Sequence, residues 1–311
     1  MLNFKKEQQT IDIGRIKIGG QIGKYPTVLI GSIFYEGDKI VSDENKGIFD
    51  KKKAEELIFL QKELSDKSGN PCMLDVVGTS EAAFRKYIDF VANLTSDPFL
   101  LNATSAELRI KLIKYIKEIG LTDRIIYNSI NYTFLEEEVN AIKKYNIKSA
   151  LIQSLNPTNS RIIGMLKLLK GKDDKEGLVE KSLRAGLKNI LLFTNVFEIP
   201  TIGLASRGIY RLKEEFGLPT GTAPVGVIGK WCIKNNVFKG NFKSACESAG
   251  VALAQAMGAD YIIYGALKKA EHIFPSAAII DAMISLNSRI TFGLRTIEKN
   301  HPINKLYFPL T

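Results

Sequence analysis

The chain is 311 residues long and 45% hydrophobic, enough to bury a large α/β core, which excludes a tethered peptide or a disordered tail. Its three cysteines, Cys72, Cys232 and Cys246, are far apart and its only histidines are His272 and His301, so neither a disulfide framework nor a protein-held metal site is expected. The net charge of +10 would suit an anionic partner, but the lysines are spread along helical runs such as KKKAEELIFLQKEL and KLIKYIKEIG instead of gathering with aromatics, which argues against nucleic acid.

No apolar run approaches the roughly 18 residues of a membrane span. The opening MLNFKKEQQTIDIG lacks the apolar core of a signal peptide, so a soluble, cytoplasmic protein is expected. The stretch IDIGRIKIGGQIGKYP alternates Ile11, Ile13, Ile16 and Ile18, the period of a small β-hairpin, and residues 1–26 read as an extension under or beside the main fold. Its GGQIGKYP segment has glycines but neither the spacing nor the preceding strand of a phosphate-binding loop.

From Thr27 onward, short β-rich runs alternate with amphipathic segments. The expected strands are TVLIGSIFY (27–35), CMLDVVG (72–78), PFLLNAT (98–104), RIIYNSIN (124–131), SALIQSLN (149–156), NILLFTNV (189–196), PTGTAPV (219–225) and YIIYGA (261–266). The expected helices are Lys51–Lys67, Ser80–Leu94, Ala106–Ile119, Leu135–Tyr145, Lys175–Ala185, Ile202–Phe216, Phe242–Met257 and Ser276–Ile290. Gly120, Gly186, Gly217 and Gly258 each follow a helical run where a left-handed cap is wanted. Eight βα units, each with a crossover long enough for parallel pairing, predict an α/β fold of the (β/α)8 TIM barrel class, with an N-terminal β-hairpin, as a single domain over 1–311.

In such a barrel, function collects where the C-terminal strand ends converge. Strand two delivers Asp75; strand three Asn102 and Thr104; strand four Asn128, Ser129 and Asn131; strand five Gln153 and Asn156; strand six Thr194, Asn195 and Glu198. The set is rich in amides and poor in charge. Amides donate and accept together, so it suits a heterocycle edge that mixes N–H donors with acceptors, and suits a metal or a phosphate badly. Ser105 and Asn156 are better read as helix caps. The first βα loop, EGDKIVSDENKGIFDKK, is long and charged, able to close on a ligand or on a partner through Lys39. The apolar VIGKWCI, with the only Trp, is either a contact patch or core. Gly221, Gly226 and Gly265 are too scattered to make a sugar-phosphate site.

The run KIGGQIGKYPTVLIGSIFYEGDKIVSDENKGIFDKKKAEELI, together with KYIDFV, RIIYNSIN, KGKDDKEGL and ADYIIYG, resembles the H subunit of tetrahydromethanopterin S-methyltransferase and its corrinoid-linked relatives, nearly end to end. The resemblance implies a pterin-binding barrel that moves a methyl group between N5 of a tetrahydropterin, tetrahydromethanopterin or tetrahydrofolate, and the cobalt of a corrinoid of the cobalamin type held on a separate protein. It also implies a homodimer and a peripheral association with a membrane methyltransferase complex.

Residue by residue, Asn128 falls where pterin-binding barrels present an Asn, and Asp75 matches an acidic strand-two end; the resemblance gives these two the catalytic roles. Asn102, Ser129, Asn131, Gln153 and Asn195 are the expected substrate contacts, and Lys39 the expected contact to the corrinoid partner. Three positions depart from the family pattern: Asn102 stands where Asp is usual, Phe193 where a strand-six Asp is expected with Asn195 close by, and Gly226 where an Asn is expected. These departures motivate an alternative, a diverged paralogue that keeps corrinoid-protein docking but has lost or changed the pterin.

Overall fold

The computed structural model describes residues 2–172, 175–236 and 241–308. A hairpin of β1 (Thr10–Ile13) and β2 (Ile16–Gly19) precedes β3 (Val28–Ile33), a second hairpin of β4 (Val41–Asp43) and β5 (Ile48–Phe49), and α1 (Lys51–Ser68). Then come β6 (Cys72–Gly78), α2 (Glu81–Leu94), β7 (Phe99–Ala103), α3 (Ala106–Glu118), β8 (Ile125–Ile130), α4 (Glu136–Tyr145), β9 (Ser149–Gln153) and α5 (Ile162–Lys170). A short pair, β10 (Gly171–Lys172) and β11 (Lys175–Glu176), leads to α6 (Leu178–Arg184), β12 (Asn189–Thr194), α7 (Ile199–Phe216) and β13 (Thr220–Thr222). The chain finishes with α8 (Pro224–Asn235), α9 (Asn241–Ala256), β14 (Tyr261–Ala266) and α10 (Ala270–Phe292).

Strands β3, β6, β7, β8, β9, β12, β13 and β14 close into a parallel barrel, each pairing with its neighbours in that order, as the βα count predicts. Alternate residues split between two cores. Outward-facing side chains such as Leu74, Val76, Phe99, Leu101, Ile125 and Tyr127 pack under the helices. Inward-facing Val28, Ile30, Met73, Leu100, Ile126, Leu151, Leu191 and Tyr261 fill the lower barrel together with Ile11, Ile13, Ile16 and Ile18 of the hairpin. Each of those isoleucines contributes on the order of 1.5–3 kcal/mol by leaving water. The hairpin lies across the N-terminal end of the barrel, where Arg15 forms a two-pronged ion pair with Asp97 just before β7 and Asn189 at the start of β12 donates to the Asp12 carbonyl.

Helix starts follow the cap chemistry. Asp50, Ser80 and Ser105 each accept a backbone N–H from the first turn of α1, α2 and α3, so Ser105 is the cap it is expected to be.

Four details differ from the sequence reading. The expected helix Lys175–Ala185 is shorter: Lys175 and Glu176 pair with residues 171–172 and the helix begins at Leu178, while RIIGMLKLLK supplies α5, which the reading lacks. Strand seven ends at Thr222, because Pro224 suits the first turn of α8 and cannot continue a ladder. Helix α8 is hidden from propensity by Gly226 and Gly229, yet the second glycine is needed: a Cβ at Gly229 would overlap Glu247 Oε1 on α9. Helix α10 starts at Ala270 and carries Pro275 inside it, which masks its first turn in the sequence.

The VIGKWCI stretch divides between both of its readings. Ile228 and Cys232 are buried, whereas Trp231 and Ile233 are exposed on the outer side of α8. A second exposed apolar row, Ile279, Met283, Leu286 and Ile290, runs along α10. Among the described residues no helix is long and apolar enough to cross a membrane.

Candidate functional site

Moving two residues along a strand keeps the same face, so the lower apolar layer predicts what stands above it. Above Ile30, Met73, Leu100, Ile126 and Leu151 come Ser32, Asp75, Asn102, Asn128 and Gln153, and above Leu191 comes Phe193. The upper layer of the barrel is therefore polar on five adjacent strands. Registers bring these side chains level: Ser32 pairs with Asp75, Asn102 with Asn128, and Phe193 with Gln153.

Asp75 is the centre of one half of this layer. Its Oδ2 accepts from Ser32 Oγ at 2.8 Å and from Asn102 Nδ2 at 3.2 Å, and its Oδ1 accepts from Asn128 Nδ2 at 3.3 Å. Asp75, Ser32 and Asn128 are buried, and Asn102 is half-buried. Burial pushes the Asp75 carboxyl up to about 6, even though Ser32, Asn102 and Asn128 each hold it down by donating to the ionised form. The other half is an amide chain. Gln153 Nε2 donates to Ser129 Oγ at 2.6 Å, and Asn195 Nδ2 donates to Gln153 Oε1 at 3.1 Å. Asn195 Oδ1 is buried without a hydrogen-bond partner, an acceptor left over inside the mouth.

Most of the expected site residues thus meet in one place: Asp75, Asn102, Asn128, Ser129, Gln153 and Asn195 belong to the two connected sets. Asn131 stands apart from both, its Oδ1 accepting from Thr133 N at 2.8 Å and from Thr133 Oγ1 in a turn after β8. Lys39 is exposed on the loop between β3 and β4. Asn156 is not the helix cap it is expected to be: α5 begins at Ile162 behind Arg161, and Asn156 instead closes a turn upstream, accepting from Thr158 N and donating to the Gly164 carbonyl. Thr194 is buried with its hydroxyl on the Gly221 carbonyl, and Glu198 starts α7, where its N–H meets the Thr201 hydroxyl.

Ser32 is the residue that sequence reasoning missed. VLIGSI reads as one continuous buried strand with no polar end, and only the step of two from Ile30 would have pointed to it. The backbone beyond it turns sharply: Phe34 takes φ +64°, its N–H is held by Asp38 Oδ2 at 3.0 Å, and its ring stacks on Tyr87 at 4.1 Å. Burial pushes the Asp38 carboxyl up, so this side chain serves the turn at the edge of the mouth.

The far side of β8 is equally fixed. Tyr127, the outward neighbour of Asn128, accepts from Arg109 Nε at 3.0 Å and donates to Glu138, while Arg109 Nη2 pairs with Glu138 Oε1 at 2.9 Å. All three side chains are buried, tying β8 to α3 and α4. The backbone carrying Asn128 is therefore anchored from outside the barrel.

The chemistry of the donor set is specific. One buried carboxylate, four amide NH2 groups and an unpaired amide oxygen match a flat heterocycle that presents N–H donors beside acceptors. Among the described residues no group of three or more His, Cys, Asp or Glu side chains gathers as metal ligands would.

Comparison with known proteins gives the family and the fold. The family model for the tetrahydromethanopterin S-methyltransferase MtrH subunit matches residues 6–296. The H subunit of that enzyme from Methanopyrus kandleri is 36% identical over 314 residues, covering 96% of this chain and 97% of that protein. Its counterpart from Methanothermobacter marburgensis is also 36% identical, over 98% of this chain and all of its own length. The H subunit of a putative methyltransferase mtx from Methanosarcina mazei is 35% identical over 98% of the chain. In fold, the chain resembles the dihydropteroate synthase of Yersinia pestis, with a TM-score of 0.57 at 13% identity over 89% of this chain and 99% of that one. The Xanthomonas albilineans dihydropteroate synthase crystallised with 4-aminobenzoic acid gives a TM-score of 0.56 at 13% identity, over 89% of this chain and 98% of that one.

Proposed function

Because the chain belongs to the MtrH family of tetrahydromethanopterin S-methyltransferase subunits, we propose that it is a methyltransferase transferring a methyl group between N5 of a tetrahydropterin and the cobalt of a corrinoid carried by a partner protein. The observation that carries this reading is the polar layer centred on Asp75, with one carboxylate and the amides of Asn102 and Asn128 joined to it. A pterin's amino and ring N–H edge asks for an acceptor of that kind, and its carbonyl and ring nitrogens ask for NH2 donors.

The corrinoid supplies the methyl-accepting or methyl-donating metal when its carrier protein is docked. The barrel's own work is to hold the pterin in orientation, exclude water and manage charge at N5. Transfer from N5 leaves an amine, and a protonated N5 makes the better leaving group. A single buried negative charge among neutral dipoles favours that cationic form of the substrate. The unpaired Oδ1 of Asn195 supports a role for this residue in accepting an N–H from the ligand.

The departures from the family pattern weigh less once the side chains are seen together. Asn195 extends the ring where Phe193 does not, and Asn102 already leans on a carboxylate. These contacts support retention of the pterin over its loss. The exposed row on α10 supports the homodimer reading, since a second copy would cover it.

Titration of the purified chain with methyl-tetrahydromethanopterin and methyl-tetrahydrofolate tests the proposal. Saturable binding of one of them, abolished in Asp75→Ala, is the expected result; no binding of either at millimolar ligand would reject it.

A further inference from the structure

Asp75 has two oxygens that are not equivalent. Oδ2 takes both Ser32 and Asn102, filling its two acceptor positions, whereas Oδ1 takes only Asn128. One lone-pair position on Oδ1 is thus free for a further donor. An aspartate carboxylate rotates readily about its terminal bond, so something must decide which oxygen is the open one.

Asn128 Nδ2 is longer, at 3.3 Å, and Asn102 is the half-exposed member of the set. The shortest contact is Ser32, level with Asp75 on the adjacent strand and itself buried at 8% exposure. The groups facing the carboxylate from β3, β7 and β8 are Ser32, Asn102 and Asn128, and no charged side chain among the described residues contributes to its titration.

We propose that Ser32 is a positioning residue for substrate recognition: by occupying Oδ2 it fixes the Asp75 carboxylate so that Oδ1 is offered to an N–H donor of the bound heterocycle. The inference rests on the pterin reading of the site and adds the residue that makes the carboxylate directional. It also makes the first barrel strand, which otherwise delivers no polar group to the mouth layer, part of the recognition apparatus.

The test uses the full chain labelled with 13C at aspartate carboxyls, the Asp75 signal being the one absent from Asp75→Asn. Removing a charge-assisted hydrogen bond in Ser32→Ala should raise the titration midpoint of Asp75 by about one pH unit, and Ser32→Thr, which keeps the hydroxyl, should bring it back. Methyl-tetrahydromethanopterin should bind Ser32→Ala about tenfold more weakly at pH 7; the shifted midpoint accounts for about twofold of this and fades at higher pH, while the loss of orientation persists. An unmoved midpoint together with unchanged affinity overturns the proposal. A midpoint that moves while the wild-type chain binds neither methylated pterin overturns the ligand assignment instead and leaves Ser32 a structural contact only.

Discussion

Asn102 turns its amide nitrogen toward Asp75, Nδ2 lying 3.2 Å from Oδ2, so the amide complements a carboxylate on the next strand instead of replacing one. Changing Asn102 to Asp would set two carboxylates within hydrogen-bonding distance, and like charges that close cannot both ionise easily. Asn102→Asp is therefore expected to bind methylated pterin at least tenfold more weakly at pH 7, measured by calorimetric titration. Equal or tighter binding would show that the position wants an acid after all.

Ligand binding should follow the ionisation of Asp75. With the carboxyl pushed up to about 6, the acceptor form dominates above that pH and is lost below it. Pterin affinity is expected to weaken about tenfold for each pH unit below 6 and to level off above 7. An affinity that is flat from pH 5 to pH 8 would mean that Asp75 does not accept from the ligand.

The same burial has a consequence for stability, with a definite sign. Asp75 and Asp281 are both pushed up to about 6 from an ordinary 3.8, so between those values the folded state holds protons that the unfolded state has released. Stability supplied by the two groups is present below the lower value and falls as pH rises to the upper one. Each group costs about 3 kcal/mol at neutral pH. His301 works in the opposite sense: burial lowers it to about 4, so its charging in the unfolded chain favours unfolding as pH drops below 6.5. Asp75→Asn should raise the urea midpoint at pH 7 and flatten its dependence between pH 4 and pH 6. A variant that is less stable than wild type at pH 7 would contradict this.

Glu138 is expected to matter without touching ligand. Its loss strands the buried Arg109 guanidinium and frees the Tyr127 hydroxyl behind Asn128. Glu138→Ala should cost about 3–5 kcal/mol of unfolding free energy. Full stability by chemical denaturation would refute the anchoring role.

Gly226 offers a gentler probe. A Cβ there would meet nothing within 4 Å and the backbone is helical, so Gly226→Asn should fold with stability within about 0.5 kcal/mol of wild type. Placing the family's usual side chain at that point should tighten pterin binding in a calorimetric titration; unchanged affinity would mean that the position does not reach the ligand.

How much of this was legible beforehand can be judged strand by strand. The barrel was, because alternating apolar strands and long amphipathic crossovers have few other solutions. Asp75, Asn102, Asn128 and Gln153 were, because each is a polar residue that interrupts or ends an apolar run. Ser32 was not, since its side chain is small and VLIGSI has no visible end. Helix α8 was not, because two glycines lower its local propensity, and one of them, Gly229, serves close packing against α9, a tertiary demand. The pairing of Asn102 with Asp75 lies 27 residues apart in sequence and exists only through strand register.

The hairpin of β1 and β2 closes the base of the barrel with its four isoleucines, which leaves, among the described residues, the opposite end as the door of the vessel. A small molecule and a macromolecule that must meet inside it cannot arrive from opposite sides or pass one another at the threshold. On the function proposed here, the small substrate would have to be seated before a macromolecular partner covered the opening, and that order would show as partner binding that blocks access of free pterin.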